Sequence, residues 1–402
     1  MNCSNFINLT HSGCSNATAE DDLYDSYSYY DYEMFYSEPV WLQTIFIVCF
    51  GIVTVLGIGG NVIVCYIVLG NRRMRTVTNY FIANLAISDA LMAAMCVNST
   101  FYATLYLKWP FGILMCKIVT FTQSVSVSVS ICTIVAISLD RYTAIIHPLS
   151  PRMTATSTIL VAIFIWVLAG LFALPSAMYT TVCEGGINSF CTEGNWGARY
   201  VYSIIAMLTQ YFLPLTILLF AYGRIGHTIW ARRTPGEGEA SRDRKMTESK
   251  TKLVKMFATV VLLFALCYLP IHIFTIIQDV YPAILYYPFI KIIFLVVLLV
   301  AMSNCIYNPF IYCYMNHKFR NGFRSVFRFL PCIIYDPDWS SFTGLKRKDT
   351  LHTNTENVSM TSRICNDRVR WTTDISRAYG KSPKHWQNGH GAVDSGERSS
   401  FL

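Results

Sequence analysis

Charge is what this chain has least of. Asp, Glu, Lys and Arg make up 14% of its 402 residues, against roughly 25% in a soluble globular protein. Water cannot be the solvent around most of such a surface. The glycine period of collagen, sustained heptads, the low hydrophobicity of disordered chains and the density of a small disulfide scaffold are also missing. No H-E-x-x-H, P-loop or G-x-S-x-G pattern occurs and the histidines are scattered, so nothing supports an enzyme. A transporter or channel would bring internal repeats or several charged residues along a path. There is no repeat, and Asp89 is the one acid deep inside an apolar block.

Apolar length is what the chain does have: 53% of residues are hydrophobic and mean hydropathy is +0.39. Seven blocks, at about 41–69, 77–105, 114–146, 157–180, 200–230, 253–279 and 286–314, each exceed the roughly 20 helical residues that cross a bilayer. Backbone in lipid must satisfy its own hydrogen bonds, so blocks of this length are helices. Ser124 to Ser130 alternates Ser and Val with the period of a strand. It lies inside a long apolar run, so it reads as helix with small polar groups turned inward. The predicted fold is an all-α membrane protein, a seven-helix transmembrane bundle followed by a short amphipathic helix. The chain divides into an extracellular acidic tail (1–40), the bundle (41–315), a membrane-surface helix (316–332) and a disordered cytoplasmic tail (333–402).

Orientation follows from basic residues. Residues 1–40 contain no Lys or Arg and seven acids. Arg72, Arg73 and Arg75 follow the first block; Arg232, Arg233, Arg242, Arg244, Lys245, Lys250 and Lys252 lie between the fifth and sixth. Loops on the opposite side hold Lys108 and Arg199. The amino terminus is therefore extracellular, and the protein is multi-pass at the plasma membrane. No apolar run precedes residue 40, so the first span acts as its own targeting signal. Sequons at Asn2, Asn8 and Asn16 agree with a luminal fate. The basic inner side faces anionic lipid and is not read as a nucleic-acid surface. Of fourteen cysteines, seven lie in spans as small apolar residues. On the oxidising side, a bridge between Cys116 and Cys191 would tie the long outer loop over the bundle mouth. Cys3, Cys14 and Cys183 remain, an odd number, so at least one is free or paired elsewhere.

Polar groups at bilayer depth carry the remaining information, because each costs a few kcal/mol unless paired or hydrated. Asp89 is accompanied by Asn61, Ser126, Ser130, Asn304 and Asn308. Either these line a hydrated pocket for a monovalent cation, or a neutral Asp89 joins an interhelical hydrogen-bond network. Asp140-Arg141-Tyr142 ends the third block, and by itself fits an arginine that snorkels to the headgroups. Pro214, Pro270 and Pro309 would free carbonyls mid-helix and form hinges.

Together these positions resemble the rhodopsin-like G-protein-coupled receptors over about residues 41–330. The carriers are Gly60-Asn61-Val62, Leu85-Ala86-Ile87-Ser88-Asp89, Cys116, Asp140-Arg141-Tyr142, Trp166, Pro214 with Tyr222, Cys267-Tyr268-Leu269-Pro270 and Asn308-Pro309-Phe310-Ile311-Tyr312. The resemblance implies a sodium pocket of Asn61, Asp89, Ser130, Asn304 and Asn308. It also implies an activation switch of Asp140, Arg141, Tyr142, Pro214, Tyr222, Tyr268, Pro270, Pro309 and Tyr312, and a G-protein contact at Leu149. Two departures stand out. Tyr268 replaces the usual tryptophan, and Lys250 lies near where some relatives place an acid that pairs with the third-span arginine.

Within the family the chain is similar to RYamide/luqin and neuropeptide Y receptors. Trp109-Pro110-Phe111-Gly112, His147 to Met153, Cys191-Thr192-Glu193, and Trp230 to Glu237 with Lys252 to Met256 carry that likeness. Phe274 to Asp279 is also similar to prokineticin receptors. Where amine receptors carry a third-span acid this chain has Gln123, which can donate to and accept from a carboxamide. Asp279 offers a carboxylate for bidentate pairing with arginine; Thr100 is carried over as a third contact. The implied ligand is a secreted, C-terminally amidated neuropeptide with arginine near its end. The alternatives are a prokineticin-like or other peptide, or a seven-span transporter or scaffold without agonist-driven nucleotide exchange. Past Asn316 an amphipathic segment lies on the inner leaflet, closed by Cys332, a palmitoylation candidate. Thr350, Thr353, Thr355, Ser359, Thr361 and Ser362 are phosphosites that would recruit arrestin. The implied partners are thus neuropeptide, heterotrimeric G protein, arrestin and lipid, with sodium in place of any cofactor.

Overall fold

The computed structural model describes residues 38–185, 188–194, 199–231, 240–281, 283–284, 287 and 289–328. Asn2, Asn8, Asn16, Cys332 and the proposed phosphosites lie outside them. Every element below lies within residues 40–326.

Among the described residues, seven helices are long and apolar enough to cross a membrane. They are α1 (Val40–Gly70), α2 (Val77–Tyr106), α3 (Gly112–Ile146), α4 (Ala155–Tyr179), α5 (Tyr200–Ile229), α6 (Ala240–Val280, with the apolar part Thr251–Val280) and α7 (Ile290–Met315). A short α8 (His317–Val326) follows after one residue. Side-chain caps start several of them. Thr76 accepts from the Asn79 amide, Thr154 from Ser157 and Asn316 from Lys318, each satisfying an amide the first helical turn leaves unpaired. Large apolar side chains such as Val55, Leu114, Leu219 and Phe220 point outward, where hydrocarbon and not water is their solvent.

The serine–valine alternation of α3 is helical, with Ser126, Ser128 and Ser130 buried. Helix geometry thus prevails over the local period of two, since lipid leaves no alternative for an isolated strand.

Several features depart from the sequence expectation. α7 begins at Ile290, later than the predicted 286, in keeping with Pro288, which disfavours helix at the residue before it. α6 begins eleven residues before the apolar block that starts at about 251, in a Lys-, Arg- and Glu-containing stretch of good helix formers. α2 and α5 each contain a π-helical segment, Met92–Val97 and Leu208–Phe212. Pro214 follows the α5 π segment directly, in backbone that runs on helically through Leu213, whose amide donates to the Leu208 carbonyl. Pro270, Pro309 and also Pro175 lie inside their helices.

The outer loop between α4 and α5 is not helical. It forms an antiparallel hairpin, β1 (Thr180–Gly185) and β2 (Asn188–Glu193). A disulfide joins Cys191 to Cys116 at the start of α3, with Cα atoms 5.7 Å apart. Cys183 is disulfide-bonded as well. Trp109, in the loop before α3, donates its amide to the Ser189 carbonyl (2.6 Å), and the Ser189 hydroxyl returns a bond to the Trp109 carbonyl (2.7 Å). The hairpin is thereby held to α3 and to the preceding loop.

Inside, helices approach closely where glycine allows. A Cβ on Gly57 would lie 2.8 Å from the Ala93 Cβ, and one on Gly322 of α8 would lie 2.7 Å from an Ile67 methyl. Asn84 bridges three helices: its amide donates to Thr133 (2.7 Å) and its carbonyl accepts from the Trp166 indole (2.8 Å).

Candidate functional site: an outer cavity, a buried carboxylate and a cytosolic arginine

The outer ends of the helices enclose a cavity of 520 Å³. Thr100 from α2, Gln123 from α3 and Asp279 from α6 all line it, so three residues spread over 180 positions meet in one volume. Among the described residues, Asp279 is the one acid in the lining, and no Lys or Arg joins it. A cavity walled mostly by low-dielectric groups with a single anion selects a cationic ligand group. Among the described residues neither Gln123 nor Asp279 has a side-chain hydrogen bond or ion pair, so both remain available. Gln210 of α5 also lines the cavity, and its amide is spent on Ser128 of α3 (2.8 Å). Tyr268 lies in the lining with its ring 4.7 Å from Phe264 below it.

Midway through the bundle, Asp89 is 3% exposed. One carboxylate oxygen accepts from the Ser130 hydroxyl (3.1 Å) and the other from the Asn308 amide (2.7 Å). Ser88 lies 2.9 Å from Ser130 and extends the network. Asn61 donates to the carbonyls of Gly57 and Cys305, each at 2.8 Å, tying α1 to the segment of α7 just before Pro309. Asn304 is buried, and so are Asn61 Oδ1 and the Ser126 hydroxyl, neither of which has a partner.

At the other end of the bundle from the cavity, Arg141 folds onto its own neighbour. Its Nη2 donates to Asp140 (2.5 Å) and to the Thr78 hydroxyl (2.5 Å), and Thr78 in turn donates to Asp140 (3.2 Å). Thr78, from the first turn of α2, was not picked out from the sequence. A cavity of 290 Å³ opens beside this group, lined also by Arg152 and by Leu253 of α6. The Tyr222 phenol lies 2.9 Å from the Ser138 hydroxyl. The Tyr312 ring packs 5.6 Å from Phe319 of α8, yet its hydroxyl is buried without a partner. Tyr142 sits near His147 and Phe220, and Leu149 is 99% exposed.

A family model described as "7 transmembrane receptor (rhodopsin family)" matches residues 60–312. The chain belongs to this receptor family. It is 40% identical over 300 residues to the RYamide receptor of Tribolium castaneum, covering 71% of this chain and 80% of the relative. It is also 40% identical over 308 residues to the tachykinin-like peptides receptor 99D of Drosophila melanogaster, covering 72% and 58%. The human substance-P receptor is 36% identical over 364 residues, covering 89% and 86%. The RYamide likeness was legible in the motifs; the likeness to tachykinin-type receptors was not anticipated.

For a rhodopsin-family receptor, the surroundings of Asp89 suit a small monovalent cation. A carboxylate, hydroxyls and amide carbonyls are hard oxygen donors, and the orphaned Ser126 and Asn61 oxygens are further acceptors in the buried interior. The receptor's predicted residues thus fall into three groups along the membrane normal. Pro270 and Pro309 lie within the two helices that link them.

Proposed function

We propose that this receptor sits in the plasma membrane with its amino terminus outside and responds to a secreted neuropeptide, C-terminally amidated and with arginine near its end. The observation that carries the reading is the convergence of Thr100, Gln123 and Asp279 on a cavity whose single acid among the described residues is Asp279. The arginine side chain would pair with the Asp279 carboxylate, and the terminal carboxamide with Gln123. A free carboxylate at the peptide's end would meet no cation in the lining. The names of the RYamide relatives favour such a ligand.

Agonist binding would favour a conformation in which Arg141 leaves Asp140 and Thr78 and the cytosolic cavity widens for a G protein, with Leu149 as a further contact. Only a ligand with higher affinity for that conformation shifts the balance. Release of Tyr222 from Ser138 would let it approach the unpartnered Tyr312 hydroxyl. A sodium ion at Asp89 would be held by Asp89 and Ser130, with Asn61, Asn304 and Asn308 around it, and would supply positive charge that favours the closed arrangement. Arrestin, acting on the phosphorylated tail, and inner-leaflet lipid against α8 complete the proposed partners.

The test is nucleotide exchange in membranes containing the receptor and a mixed set of G proteins, challenged with amidated peptides ending in Arg-Tyr or Arg-Phe. A nanomolar response that disappears with the free acids is the expected result. A tachykinin-like peptide is the competing ligand, because a relative as identical to this chain, at 40%, carries that name. Response to it, with silence toward the arginine-containing amides, would replace the present reading.

A further inference from the structure

His272 takes no part in the contacts assigned above. It lies on α6 seven residues before Asp279, and His272, Thr275, Ile276 and Asp279 all line the outer cavity. That spacing of i, i+3, i+4 and i+7 places them on one helical face, with imidazole and carboxylate about 10 Å apart along the axis at 1.5 Å per residue. The imidazole is braced from behind. Its ring lies 4.6 Å from that of Tyr211, and Tyr211 is itself anchored by donating its hydroxyl to the Ala265 carbonyl (2.9 Å). Among the described residues, no side chain hydrogen-bonds to His272. On the cavity side the Tyr268 ring lies 6.5 Å from it, and neither tyrosine hydrogen-bonds to the imidazole.

A half-buried imidazole set among aromatic rings and without a hydrogen-bond partner is a hydrogen-bonding position for a ligand. The peptide reading places a definite group there. In an extended peptide, adjacent side chains project to opposite sides. With a penultimate arginine directed outward to Asp279, the terminal side chain is directed inward, toward His272. Tyr268, whose ring lies 6.5 Å from His272, and Phe294 are further aromatic residues of the lining.

We propose that His272 is a specificity-determining residue that accepts or donates a hydrogen bond to the phenol of a C-terminal tyrosine amide, selecting it over phenylalanine amide. This inference rests on the amidated-peptide reading of the same cavity. A terminal phenylalanine fills the same space and leaves the imidazole unpaired. A site built to hydrogen-bond a ligand hydroxyl discriminates in this way against the analogue that lacks it.

The experiment compares two amidated peptides identical except for a final Tyr or Phe, in dose–response of nucleotide exchange. The receptors are wild type, His272→Phe, which keeps a ring against Tyr211 but no nitrogen, and His272→Leu as a second test should the first not reach the surface. Wild type is expected to prefer the tyrosine peptide by about 10-fold, the value of one hydrogen bond of ordinary strength. In either variant the preference is expected to fall within about twofold, through lost potency of the tyrosine peptide while the phenylalanine peptide keeps its own. An undiminished preference in a variant present at the surface overturns the assignment of His272 alone. Silence of wild type toward both peptides overturns the amidated-peptide reading, and this inference with it.

Discussion

The two ends of the bundle treat their polar side chains in opposite ways. At the outer end Gln123, Asp279 and His272 line an open cavity, and no side chain hydrogen-bonds to any of them among the described residues. At the opposite end Asp140, Arg141 and Thr78 satisfy one another, and Ser138 holds Tyr222. Unspent hydrogen-bonding capacity belongs to a surface that recognises something else. Capacity spent internally belongs to an element with a resting arrangement that must be broken. The contrast fits the proposed function, in which a ligand is taken up at one end and an effector surface is released at the other.

The sharpest way to break the comparison is to reverse the charge at the outer end. Asp279→Arg should lower the potency of arginine-containing amidated peptides by roughly 100-fold, because truncating or opposing one partner of a desolvated charge pair costs several kcal/mol. Radioligand competition with surface expression confirmed by labelling checks this; unchanged potency would remove Asp279 from the recognition site. Next in size is the middle of the bundle, where Asp89→Asn should abolish the effect of NaCl on agonist affinity. In wild type, replacing NaCl by an organic cation should raise that affinity by about 5- to 10-fold, within the usual range of coupling between two sites. Equal salt sensitivity in both proteins would leave Asp89 as a structural hydrogen-bond acceptor.

At the inner end the expected changes are smaller and of a different kind. Ser138→Ala frees Tyr222, so agonist-independent nucleotide exchange should rise by about 2- to 10-fold, as the loss of one hydrogen bond allows. A decrease would mean that the Ser138 contact belongs to the active arrangement instead. Thr78→Val removes the hydroxyl from Arg141 while Asp140 remains. Basal exchange should rise by about twofold, since one partner of the guanidinium is retained. Should Thr78→Val match or exceed Ser138→Ala, the arginine group and not the tyrosine contact is the dominant restraint.

Much of this was readable before any coordinates. Spans followed from apolar length because lipid enforces helix, and the polar residues at membrane depth stood out because they are costly there. Asp89, Ser130 and Asn308 do meet. Thr78 and Ser138 escaped notice because a lone hydroxyl in a helix usually bonds to its own backbone, as Ser138 does to Ile134 (2.9 Å). The π segments of α2 and α5 and the outer hairpin escaped because they depend on what a helix packs against. His272 lay in an apolar run with no local signal.

The amino-acid sequence by itself determined that the chain crosses a membrane seven times, which side its basic loops favour, and which family its motifs resemble. Those properties depend on hydrophobic length and charge placement, which are additive along the chain. Only the tertiary structure decided which polar groups are satisfied and which are left open. That depends on distances between residues far apart in sequence, such as the 2.7 Å between Asn308 and Asp89 across 219 positions. Short-range forces act on position in space, and helix packing sets that position.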